Sequence, residues 1–84
     1  MTIKKHSISR KELSDSFSAR LKQAINAQGT ALHVVACDTG ISRSTMEGYV
    51  RGYTLPNALL LVTLAEYLHV SVDWLLGRKG GVMF

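Results

Sequence analysis

Arg43, Ser44, Glu47, Gly48 and Arg51 recur at intervals that gather them on one side of a single short helix. Their types suit the reading of a nucleic-acid edge. Arg43 carries paired donors that match O6 and N7 of guanine, Ser44 is a short donor and acceptor, and Glu47 accepts from the amino group of cytosine. Gly48 permits close approach of the helix, at about 1 kcal/mol of lost helix propensity. The charge of Arg51 suits a phosphate. All of this is recognition by reversible hydrogen bonds.

Residue types for bond-making chemistry are not gathered in this way. No serine, histidine and acid fall in a catalytic arrangement, and a core this small leaves little room for a buried pocket, so neither an enzyme nor a small-molecule site is expected. His6, His33 and His69 are scattered, with no cysteine or carboxylate at ligand spacing, so no metal and no cofactor is expected. Cys37 is the single cysteine and has no internal disulfide partner. It reads as a small helix residue of a protein in a reducing cytoplasm.

The elements that must position the reading residues are all helical. Leu13, Phe17, Leu21 and Ile25 recur every four residues on one helix face. Ser14 or Asp15 is a possible cap for that helix, and Ser9-Arg10-Lys11-Glu12 offers an earlier start as a capping box; Gly29 ends it. Thr30 is expected to cap a second helix over residues 31–39, with Val35, Ala36 and Thr39 facing inward. Gly40-Ile41-Ser42 breaks it. Ser42 caps a third helix from Arg43 to about Arg51, held by Met46, Tyr49 and Val50 and stopped by Gly52. Its opposite face presents Arg43, Ser44, Glu47, Gly48 and Arg51 to solvent.

Asn57 caps a fourth helix to about His69, with Leu60, Leu61, Leu64, Ala65 and Leu68 as its apolar stripe. Ser71 caps a short fifth helix over 72–76, ended by Gly77. Trp74 and the leucine stripe read as core. The fold class is therefore all-α, five helices joined by short loops, with helices two and three forming a helix-turn-helix. Such a turn needs a small residue where the backbones approach, supplied by Ala36, and a residue tolerant of positive φ, supplied by Gly40.

A chain of 84 residues is enough for one domain, placed at 15–77, between a basic arm at 1–14 and a tail at 78–84. No apolar run of about 18 residues exists, so no membrane span is expected, and the first residues lack the apolar block of a secretory signal. The net charge is +4. Lys4, Lys5, Arg10, Lys11, Arg20 and Lys22 outweigh Glu12 and Asp15 in the first 28 residues, whereas the remainder is balanced. The basic arm suits a polyanion or serves solubility.

The stretch Ala36-(three residues)-Gly40-Ile41-Ser42, followed by Leu64-Ala65-Glu66-Tyr67-Leu68-His69-Val70-Ser71-Val72-Asp73-Trp74-Leu75-Leu76-Gly77, resembles the Cro/C-repressor family, the lambda repressor-like fold of phage and bacterial regulators. The resemblance covers about residues 15–77. It implies a symmetric dimer on operator DNA with the third helix in the major groove. Carried over by position, Arg43, Ser44 and Gly48 match base-facing sites. Ser42, Thr30 and Arg51 match backbone contacts, and Tyr53 lies in a loop that touches the backbone. Thr45 and His33 join the expected backbone set. Two departures stand out. Leu32 occupies the position of a glutamine that anchors phosphate, and Ile25 and Val50 replace an arginine–glutamate pair found in some relatives. Apolar replacement of a buried ion pair is often neutral or stabilising.

The expectation is thus a sequence-specific, double-stranded DNA-binding regulator, a homodimer on a pseudo-palindromic operator. The alternative is a helix-turn-helix that binds another protein, as an antirepressor or antitoxin does, a reading that Leu32 and Val34 favour.

Overall fold

The first helix, α1, spans Arg10–Ala27 and starts at a reciprocal cap. The Ser9 hydroxyl accepts from the Glu12 amide at 3.0 Å, and the Glu12 carboxylate accepts from the Ser9 amide at 3.1 Å. Of the two possible starts, the capping box is the one that forms. Ser14 is buried within the helix and Asp15 pairs with Lys11 on its wet side. This computed structural model describes residues 8–78. Lys4, Lys5 and His6 of the basic arm, and the tail from Lys79 to Phe84, lie outside the described residues.

Next come α2 (Leu32–Thr39), α3 (Arg43–Val50), α4 (Ala58–Leu68) and α5 (Val72–Leu75). All regular structure among the described residues is helical, as expected. Ser42, Asn57 and Ser71 cap α3, α4 and α5 through their side chains. Thr30 does not cap α2. Its amide donates back to the Ile25 carbonyl at 3.3 Å, closing the end of α1; Ala31 is the N-cap, and no side chain caps α2. Gly40 turns the chain between α2 and α3 with φ +77°, a conformation that costs an L side chain steric strain. Its amide bonds the Ala36 carbonyl at 3.0 Å. At the end of α4, His69 takes the left-handed conformation with φ 58°.

Every helix contributes to one core. Phe17 and Leu21 of α1, Val35 of α2, Met46 of α3, Leu64 and Leu68 of α4 and Leu75 of α5 are fully buried. The Phe17 ring meets Tyr49 edge to face, with centroids 5.8 Å apart, the arrangement that aromatic quadrupoles favour. Trp74 departs from expectation: it is half-buried at the margin of the core, and the Arg20 guanidinium lies 4.6 Å from its ring centroid. A cation over an indole face keeps the ring's apolar body covered and its charge wet.

Candidate nucleic-acid interface

α3 is seated from beneath by packing and from behind by hydrogen bonds. Met46, Tyr49 and Ile41 are buried under it. Ser18 donates to the Val50 carbonyl at 2.7 Å and Ser14 donates to the Gly52 carbonyl at 2.9 Å. The last carbonyls of a helix have no intrahelical partner, so two buried α1 hydroxyls satisfy main-chain groups at and just beyond the end of α3. Sequence reading missed both serines. Their signal was two hydroxyl residues four apart beside the Phe17–Leu21 stripe, too small to break the apolar face.

The outward side of α3 carries Arg43 and Ser44, both exposed, in its first turn, and exposed Arg51 at its C-cap. Glu47 is half-buried and lies 3.6 Å from Arg43 Nε, one turn away. Both members of this pair are well solvated, so its worth to stability is small. The two residues expected to read separate bases therefore hold one another in the free protein.

Gly48 departs from the open solvent face assigned to it. It is half-buried, a Cβ there would lie 3.2 Å from Thr54 Oγ1, and its carbonyl accepts from the Tyr53 amide at 2.9 Å. The loop after α3 folds over this position, so the missing side chain has a packing reason beside any role in close approach.

The expected backbone contacts occupy three places. Ser42 accepts from the Thr45 amide at 3.1 Å and donates to Thr45 Oγ1 at 2.8 Å, so its hydroxyl is engaged in capping α3, while Thr45 Oγ1 retains its own proton. Tyr53 is 69% exposed in the loop after α3. Thr30 is half-buried and His33 exposed at the start of α2. The first bonds of that helix run from Val34 and Val35 to the Ala31 carbonyl, which leaves the Leu32 and His33 amides as free donors. On the far side, the Tyr67 hydroxyl donates to Asp38 and ties α4 to α2. This bond, with lesser burial and charge effects, pushes the Tyr67 phenol above its ordinary value, and burial alone pushes Tyr49 up.

Among the described residues no cluster of histidine, cysteine and carboxylate is placed to hold a metal ion, and no helix is long and apolar enough to cross a membrane. No curated protein and no solved structure shows significant similarity to the chain. A family model described as helix-turn-helix matches residues 21–75, a span that takes in α2, the Gly40 turn, α3 and most of the core. The chain belongs to the helix-turn-helix family of Cro/C-repressor type and is a DNA-binding helix-turn-helix regulator.

Proposed function

We propose that the chain is a sequence-specific transcriptional repressor of phage or prophage type, binding a pseudo-palindromic operator as a homodimer. The observation that carries this reading is the first turn of α3, where Arg43 and Ser44 stand exposed on a helix whose other side is buried. Residues at the N-terminal end of such a helix are the ones that meet base edges in the major groove.

Arg43 takes guanine in the paired O6/N7 geometry, Ser44 and Glu47 bond adjacent edges, and Gly48 keeps the backbone close. Binding loosens the Arg43–Glu47 pair, a small loss for a solvated contact. Arg51, Tyr53, Thr45 and His33 contact the sugar-phosphate backbone, and the free amides at the start of α2 receive a phosphate in place of the missing glutamine. Thr30 flanks that phosphate. Ser42 acts by fixing the start of α3 and presenting Thr45.

The homodimer places two α3 helices about 34 Å apart, one turn of DNA. Leu59 and Val62, three residues apart on α4, are 72% and 44% exposed, which supports self-association through that face. Selection from random duplexes tests the reading. A two-fold symmetric consensus whose affinity falls by orders of magnitude between roughly 50 and 200 mM salt is expected. Failure to retain any duplex at low salt favours the protein-binding alternative, for which Val34, 37% exposed beside half-buried Leu32, is the supporting feature.

A further inference from the structure

Ile25, Leu32 and Val50 come from three different helices and form the floor of one groove of about 630 Å³ between α1, the turn after it and the end of α3. That volume lies within the range of small-ligand sites; the groove is broad and open to solvent, and its lining joins these apolar side chains to a few polar groups. Lys22, Asn26 and Thr30 supply those groups. No acidic residue lines the groove, and Lys22 is exposed and takes part in no salt bridge among the described residues.

We propose that this groove binds a small amphipathic carboxylate as an effector of DNA binding, its apolar body on Ile25, Leu32 and Val50 and its carboxylate on Lys22. The effector role rests on the DNA-binding mode proposed above. Thr30 lines the groove and flanks the phosphate position at the start of α2, so ligand and DNA backbone meet at the same edge. A bound carboxylate places negative charge where a phosphate must come, and its body crowds Leu32. Occupancy therefore weakens DNA binding.

The test titrates the ¹⁵N-labelled full chain with sodium octanoate, with sodium acetate and octyltrimethylammonium as controls. Octanoate is expected to shift the amides of Ile25, Leu32 and Val50 saturably, while acetate and the cation leave them in place. K22E, at an exposed position, is expected to weaken octanoate roughly fivefold or more, the effect of losing a charge-assisted hydrogen bond. Octanoate is expected to raise the apparent Kd for a mixed-sequence duplex at low salt. Shifts scattered over the surface, or equal shifts with octyltrimethylammonium, overturn the site. Octanoate seated in the groove with DNA affinity unchanged overturns the effector role. Octanoate seated in the groove of a protein that retains no DNA leaves the site standing and removes the DNA-binding mode instead.

Discussion

The two sides of α3 are built on opposite plans. Its inner side is closed, with Met46 and Tyr49 buried, Phe17 stacked edge-on against Tyr49, and Ser14 and Ser18 bonded to the carbonyls of Gly52 and Val50. Its outer side carries lighter ties, the solvated Arg43–Glu47 pair and the Ser42–Thr45 cap. Stability therefore resides on one side, and in the proposed binding mode specificity resides on the other. Substitutions on the two should separate cleanly.

The largest effect expected on this comparison is from M46A, which empties a fully buried site on the inner side of α3. It should destabilise the fold by about 2–5 kcal/mol in a denaturant titration. S18A leaves the Val50 carbonyl without its partner and should cost about 1–3 kcal/mol; restoration of the midpoint by S18T would show that the hydroxyl, rather than local volume, is responsible.

R43A should behave in the reverse manner. Folding stability should change by no more than about 0.5 kcal/mol, while binding to the selected operator loses roughly 1–3 kcal/mol, concentrated at one base pair. R51A, by contrast, should weaken all sequences alike and flatten the salt slope by about one unit. Equal losses from R43A and R51A on every sequence would remove the division between base and backbone contacts.

The smallest effect lies away from α3, at the bond between Tyr67 and Asp38. The phenol is raised in the folded chain, so the folded state holds its proton more tightly than the unfolded state. That contribution is complete below the ordinary tyrosine value of 10.0 and is lost as pH rises through the raised folded value. Y67F removes that contribution, so it should lower stability slightly across the neutral range and flatten the fall in the alkaline range. A steeper alkaline fall in Y67F would contradict the assignment.

Much of the fold was legible because local chemistry and tertiary structure agree. Ser9 with Glu12, Ser42, Asn57 and Ser71 announce helix starts, and they cap in the structure as their types suggest. The stripe of Phe17, Leu21 and Ile25 is buried as its period implies. Thr30 misled because α2 starts one residue later than its type suggests: Ala31 is the N-cap, and the Thr30 hydroxyl makes no capping bond. Ser14 and Ser18 were illegible for a different reason. Their partners lie 38 and 32 residues away, and a serine on an apolar stripe looks the same whether or not it finds one. On the outer face, residue types were readable, whereas the Arg43–Glu47 pairing and the Thr54 cover over Gly48 depend on rotamers and loop path.

Ser14 and Ser18 hold the end of α3 and the turn after it by main-chain carbonyl oxygens, and those oxygens are the same whatever side chains the outer face of α3 displays. The grip is indifferent to the identity of the residues displayed on the far side. On the proposed reading face, Arg43, Ser44 and Glu47 can be exchanged without loosening the mount, and with that face as the reader a lineage carrying this scaffold can drift from one DNA site to another by surface substitutions alone. The hydroxyls of α1 thus make the specificity of α3 interchangeable, separating what the protein reads from how it stays folded.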